Sequence, residues 1–283
     1  MTRPYAEVIG DPIAHSKSPR IHGFWLEKLG IEADYRACHV VPEGLTDYLA
    51  RRREDAAWRG CNVTIPHKRA VMPLLDRVDP SAARIGAVNT VVHEADGSLT
   101  GFNTDAAGFL EPLLPLPPAD ADGSRGLAVV LGAGGAARAV VCALWDAGYH
   151  IDILNRDIGK ARTLADEFGA PATAHGPLEI PSAPLLFTHN VGEDLLVNTT
   201  SLGMRGMPAL DISLERVSPG VIVYDLVYAP LETPLLAQAR SRGMRTIDGL
   251  AMLVGQAAIA FERFFGVSPP REFDAELRAL LTS

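Results

Sequence analysis

The first half of the chain alternates short apolar runs with amphipathic stretches. Tyr5–Gly10 is a continuous apolar run broken only by Glu7, and reads as a buried strand leading into a polar loop. Ser18-Pro19 predicts a helix reaching Leu29: serine suits the cap, proline suits the first helical position, and Gly30 stops the run. Asp34–Val41 is predicted as a second strand, Leu45–Arg53 as a helix, Gly60–Ile65 as a third strand and Lys68–Leu75 as a short helix. Ala87–His93 and Ser98–Phe102 flank Ala95-Asp96-Gly97, a hairpin signal. In Asn62-Val63-Thr64-Ile65-Pro66-His67-Lys68 the polar and apolar residues alternate, so Asn62 and Thr64 share one strand face. An amide, a hydroxyl and an ammonium in a row at a strand end suit a small polar ligand better than bulk water.

The second half changes character. Residues 112–123 are rich in Pro, Asp and Gly, as a surface loop is. Then come four wholly apolar or nearly apolar runs, Leu127–Leu131, Ile151–Leu154, Leu195–Asn198 and Val221–Tyr224. Runs of this kind are typical of parallel strands covered on both faces. Helical patterns lie between them, at Ala136–Ala147 and Lys160–Phe168, and such alternation predicts a doubly wound sheet. Leu250–Phe265 and Asp274–Leu281 read as closing helices.

Composition narrows the function. The 283 residues are 47% hydrophobic and 21% charged, enough to build one large or two ordinary domains. A net charge of −8 argues against a general nucleic-acid binder, and the short basic run Arg51-Arg52-Arg53 reads as a solvated helix face. Three scattered cysteines have neither zinc spacing nor a disulfide pattern. No apolar stretch reaches the length of a membrane span and no signal-peptide core is seen, so a cytoplasmic location is the default expectation.

Gly132-Ala133-Gly134-Gly135-Ala136-Ala137 follows the Leu127–Leu131 strand and opens a helix, the position of a dinucleotide fingerprint. Glycines allow the tight turn and the close approach of a pyrophosphate to helical N–H groups. At the end of the next strand an NAD binder carries Asp or Glu for the ribose hydroxyl. Here the sequence reads Asn155-Arg156-Asp157, with Lys160 a turn later. A guanidinium suits a 2′-phosphate, so NADP (NADPH) is the expected cofactor. Asp157 would oppose a phosphate unless it caps the helix that follows it, which is the expected role.

Four polar groups precede the glycine turn: His15-Ser16-Lys17-Ser18, the 62–68 segment, Ala87-Val88-Asn89-Thr90, and Gly101-Phe102-Asn103-Thr104-Asp105. Each has a bland reading. Ser18 could cap its helix, Asn89 could satisfy a backbone group and Asp105 could cap the helix after it. Together they offer hydroxyls, amides, one cation and one anion, a set suited to a small polyhydroxylated acid.

In this order the motifs resemble the shikimate dehydrogenase family over nearly the whole chain: SKS (Ser16–Ser18), NVTIPHK, GAVNT (Gly86–Thr90), NTD (Asn103–Asp105), GAGGAAR (Gly132–Arg138), NR (Asn155-Arg156), NTTSLGM (Asn198–Met204), YDLVY (Tyr224–Tyr228) and DGLAMLVGQAA (Asp248–Ala258). The resemblance implies an α/β fold of two domains. One is an N-terminal substrate domain, 1–105, completed by C-terminal helices, 250–283; the other is a Rossmann-type doubly wound dinucleotide-binding domain, 106–249, with the site in the cleft between them. It implies NADP-dependent, reversible reduction of 3-dehydroshikimate to shikimate, a step of aromatic amino-acid and chorismate biosynthesis. Lys68 and Asp105 match the catalytic pair. Ser16 and Ser18 match the hydroxyls that take the substrate carboxylate, and Asn62, Thr64, Asn89, Tyr228 and Gln256 match other substrate contacts. Gly132, Ala133, Gly134, Gly135 and Ala136 match the pyrophosphate turn, Asn155, Arg156 and Lys160 the 2′-phosphate site, and Leu226, Gly249 and Met252 the nicotinamide lining. A serine at Ser18 resembles shikimate-preferring members, where quinate-using relatives often carry threonine. Two positions depart from the family pattern: Asp157 replaces a threonine, and His67 stands where an aromatic residue is common, with a structural role expected.

Reducing a ketone by hydride leaves an alkoxide that needs a proton. Lys68 is expected to supply it, with Asp105 orienting it and keeping it largely protonated at neutral pH. No metal is called for. The expected partner is the small-molecule substrate rather than nucleic acid or a membrane, and a homodimer is compatible with the sequence. Two alternatives stand: a quinate/shikimate dehydrogenase using NAD, and a nucleotide-binding sensor without catalysis, since a fold alone does not fix function.

Overall fold

Tyr5–Gly10 (β1) is buried at every position, as a strand covered on both faces must be. The computed structural model describes residues 3–119, 123–168, 172–175 and 194–283. On either side of β1 run Asp34–His39 (β2) and Trp58–Val63 (β3), both parallel to it. Ser18–Leu29 (α1) and Leu45–Arg53 (α2) carry the two crossovers. His67–Ala70 (α3), Arg77–Val78 (β4) and Pro80–Ile85 (α4) lead to the hairpin Thr90–His93 (β5) and Leu99–Phe102 (β6). The sheet order is β2-β1-β3-β5-β6-β4, with antiparallel pairing at β3–β5 and β5–β6. Trp58, Tyr48, Leu49 and Val91 are central to the core on one side of this sheet.

After Asp105–Leu110 (α5) the second sheet forms from Leu127–Leu131 (β7), His150–Leu154 (β8), Ala172–His175 (β9), Leu195–Asn198 (β10), Ile222–Asp225 (β11) and Thr246–Ile247 (β12). All its pairs are parallel and the order is β12-β11-β10-β7-β8-β9. Numbered from its own first strand that is 3-2-1-4-5-6, the doubly wound dinucleotide-binding order. Gly135–Asp146 (α6), Ile158–Phe168 (α7) and Pro234–Ser241 (α8) pack with it. Gly249–Phe265 (α9) and Asp274–Thr282 (α10) follow.

Two compact units result: Met1–Gly108 with Val254–Ser283, and Phe109–Leu253. The chain passes from one to the other inside α5 and returns inside α9, rather than at the helix starts where sequence would cut it. Among the described residues no helix is long and apolar enough to cross a membrane.

Several boundaries differ from the expected ones. β3 ends at Val63, so Thr64 lies beyond the strand; Pro66 restricts the residue before it and offers no N–H to a ladder. The helix expected over 68–75 is α3 followed by a 3₁₀ turn, Met72–Leu74. Pro73 cannot bond back to the carbonyl of Arg69, and the α-helical ladder stops there. β4 and β12 were not anticipated, because two residues carry no period. α4 was missed although its cap is legible: the Asp79 carboxylate accepts from Ser81 N–H at 2.9 Å, with Pro80 at the first helical position.

Candidate active site

Lys68 and Asp105, 37 positions apart, meet at one contact. The Lys68 ammonium donates to Asp105 Oδ2 at 2.5 Å. Both side chains are largely withdrawn from water, 16% and 7% exposed, so the pair is poorly screened. Backbone bonds bring Lys68 here: its carbonyl accepts from Val88 N–H at 2.8 Å, which ties α3 to the segment leading into β5. Asp105 opens α5, where Asn103 Oδ1 accepts the Asp105 N–H at 3.0 Å. Both carboxylate oxygens of Asp105 are engaged, one by Lys68 and one by Asn89 Nδ2 at 2.8 Å. Asp105 is therefore no helix cap.

Asn89 holds this arrangement from below. Its Oδ1 accepts from Thr104 N–H at 2.8 Å and from the Thr90 hydroxyl at 3.0 Å. Its Nδ2 also donates to Thr104 Oγ1 at 2.9 Å. The bland reading of Asn89 is thus partly right, since one backbone group is satisfied, but the same amide fixes Asp105. Thr104 in turn bonds Gln256 Oε1 on α9 at 3.4 Å. Asn62 joins through register: it faces Thr90 across the antiparallel β3–β5 pair, and its Nδ2 donates to Thr90 Oγ1 at 3.1 Å and to the Asn89 carbonyl at 3.3 Å. Tyr35 on β2 donates to Asn62 Oδ1 at 2.6 Å. Burial pushes the Tyr35 phenol well above its ordinary pKa, so it stays a donor at working pH.

Ser18 is the first residue of α1 and buried, not its cap. The nearby Ser16 hydroxyl accepts the Ser18 N–H at 3.3 Å. Thr64 packs its methyl on Gly10, where an added Cβ would come within 2.5 Å of it. His67 is structural as expected: the ring is buried and Nε2 donates to the Val40 carbonyl at 2.6 Å. One unit therefore collects Ser16, Ser18, Asn62, Thr64, Lys68, Asn89, Asp105 and Gln256. Tyr228 belongs to the other unit, half-buried just past β11. Sequence reasoning assigned no role to Tyr35, Thr90 or Thr104. The two threonines lie in quoted motifs, but a tyrosine within a strand reads as core.

The second unit builds its turn at the C-terminal end of β7, where the strand order reverses. Gly132 takes φ +109°, and an added Cβ would come 2.7 Å from Thr199 Oγ1; only glycine fits there. At Gly134, by contrast, nothing lies within 4 Å of an added Cβ. The first turn of α6 has neither a side-chain cap nor an acidic residue. Bare N–H groups, the positive end of the helix and open space beside Gly134 fit a pyrophosphate. Past β8, Arg156 and Lys160 are exposed and make no ion pair among the described residues. Asp157 Oδ1 accepts from Gly159 N–H at 2.9 Å and Lys160 N–H at 3.3 Å. It caps α7 as expected. Asn155 Nδ2 donates to the Asp157 carbonyl at 2.8 Å, which braces the loop. These donors fit the 2′-phosphate of NADP.

The segment after β11 is held by a buried carboxylate. Asp225 accepts from Asn198 Nδ2 at 2.8 Å, Thr233 Oγ1 at 2.6 Å and Val227 N–H at 3.0 Å. Burial raises the Asp225 pKa, and these three bonds pull it back. Leu226 and Gly249 touch: a Cβ on Gly249 would lie 2.2 Å from the Leu226 carbonyl oxygen. Met252, on the first turns of α9, is buried in the same unit. Among the described residues no group of three His, Cys, Asp or Glu side chains is placed to hold a metal ion.

Two family models match the chain. One, described as shikimate dehydrogenase substrate binding domain, covers residues 8–91; the other, shikimate 5'-dehydrogenase C-terminal domain, covers 249–274. A shikimate dehydrogenase (NADP(+)) of Sphingopyxis alaskensis is 53% identical over 281 residues, 99% of this chain and 97% of that protein. Its counterpart in Rhodospirillum rubrum is 48% identical over 275 residues, 97% and 95% of the two chains. A crystal structure of shikimate 5-dehydrogenase from Thermus thermophilus, in complex with NADP(H) and shikimate, is similar with a TM-score of 0.83 at 40% identity, covering 98% of this chain and 99% of that one.

Proposed function

The chain belongs to the shikimate dehydrogenase family, and we propose that it catalyses the reversible, NADP-dependent reduction of 3-dehydroshikimate to shikimate. The observation that carries the catalytic assignment is the withdrawn Lys68–Asp105 contact, held on its far side by Asn89. NADPH, when bound, supplies the hydride. Lys68 gives a proton to the oxygen that becomes the new hydroxyl, and in the reverse direction its neutral amine removes that proton. Asp105 orients the ammonium. Ser16 and Ser18 take the substrate carboxylate, and Asn62, Thr64, Asn89 and Gln256 sort its hydroxyls, with Tyr228 as a further contact. On this reading the unit containing Lys68 binds substrate and the unit containing the glycine turn binds cofactor. There Gly132–Ala136 hold the pyrophosphate, Asn155, Arg156 and Lys160 the 2′-phosphate, and Leu226, Gly249 and Met252 line the nicotinamide. Capping by Asp157 favours NADP over the NAD alternative, because that carboxylate is occupied by backbone donors.

The test is Lys68→Ala, followed at the reduced-nicotinamide absorbance band. The expected result is a kcat lower by about 10² to 10⁴, with the KM for shikimate changed only a few-fold. A kcat within a few-fold of wild type removes Lys68 from the chemistry.

A further inference from the structure

The hydrogen bonds that lead to Asp105 all point one way, and the direction is forced. A carboxylate only accepts. Asn89 must therefore present Nδ2 to Asp105 Oδ1, which turns its Oδ1 toward Thr90. The single Thr90 proton goes to that oxygen, so Thr90 Oγ1 receives Asn62 Nδ2. The Asn89 carbonyl, also acceptor-only, demands the same orientation of Asn62. Asn62 Oδ1 is then left facing Tyr35, and Tyr35 is the group that gives it a proton, at 2.6 Å. The Tyr35 ring is held for this purpose: it stacks face to face on His22, with centroids 3.8 Å apart and planes 3° from parallel.

We propose that Tyr35 is a positioning residue of the substrate site, the terminal donor of a chain polarised by Asp105, and that its hydroxyl fixes the orientation of the Asn62 amide. The hydroxyl carries one proton and commits it to Asn62 Oδ1. Hydrogen-bond chains strengthen link by link, so the Asn62 amide is held by the donor behind it as well as by Thr90 in front. This rests on the reading that Asn62 binds substrate.

The experiment is a double-mutant cycle of Tyr35→Phe and Asn62→Ala, with KM for shikimate, KM for NADP, kcat and Tm measured for each. Tyr35→Phe keeps the ring on His22 and removes only the donor. The expected result is a shikimate KM raised about tenfold, with kcat and the KM for NADP within about twofold. In the Asn62→Ala background the same change should add little, since Tyr35 acts through Asn62. Full additivity, or a Tyr35→Phe effect spread over Tm and both KM values, overturns the proposal in favour of a plain structural role. A shikimate KM untouched by Tyr35→Phe but raised by Asn62→Ala overturns it while leaving the site intact. A KM untouched by Asn62→Ala removes the site reading itself.

Discussion

His22 shows how far one side chain can be pushed by its surroundings. It lies fully buried among Trp25, Tyr35, Phe261 and Phe264, and neither ring nitrogen has a hydrogen-bond partner among the described residues. Burial lowers its pKa from 6.5 to about 3. The folded protein keeps it neutral while the unfolded chain charges it below pH 6.5, so the unfolded state binds more protons there. Its contribution to stability is complete above pH 6.5 and is lost as pH falls toward 3, at about 1.4 kcal/mol per pH unit. His22→Phe, which keeps a ring against Tyr35, should flatten the acid side of the stability profile by that slope. Urea unfolding of both chains at pH 7, 6 and 5 measures it; parallel profiles would show that His22 charges freely in the native state. At this scale Lys68 and Asp105 were singled out by the resemblance of their motifs, since a lysine after a strand and an aspartate before a helix also have bland uses. Tyr35 was not, since its burial is that of an ordinary core tyrosine and only the partner of its hydroxyl sets it apart.

Between elements, close approach matters more than composition. α5 and α9 cross at Gly108, where an added Cβ would sit 2.4 Å from the Gln256 backbone nitrogen. Backbone cannot rotate away as a side chain can. Gly108→Ala should therefore cost about 1 to 3 kcal/mol and displace Gln256 from Thr104. A lowered urea midpoint together with a raised shikimate KM checks both parts; an unchanged midpoint means that the helices part without strain. The elements themselves were largely legible. α2 and β7 fall where periodicity and apolar runs predict them, since nine and five residues suffice to carry a pattern. The ends of β3 and α3 were less legible, because Pro66 and Pro73 act on the ladder as much as the hydrophobic pattern does.

For the molecule as a whole, the cofactor assignment predicts a thermodynamic difference. A ligand that binds only the folded state stabilises it by RT ln(1 + [L]/Kd), about 2.7 kcal/mol at a hundred times Kd. NADP should raise Tm strongly and NAD at equal concentration much less. Arg156→Ala should abolish most of that difference by weakening NADP about 10- to 100-fold, with NAD little changed. A variant that loses both cofactors equally would show that Arg156 serves the fold and not the phosphate. Local periods along the chain were enough to predict an α/β fold and the glycine turn, and the order of the motifs pointed to the family; the pairing of Lys68 with Asp105 was implied by that resemblance and not by any local pattern. Asp157's capping of α7 was legible from its place before that helix; tertiary structure alone decided that Ser18 is not a cap and that the hydrogen bonds from Tyr35 to Asp105 run in one direction. Hydrogen-bond direction depends on which atoms meet across β2, β3 and β5. That is set by register between strands up to 55 residues apart along the chain, as Tyr35 and Thr90 are, and no local pattern encodes it.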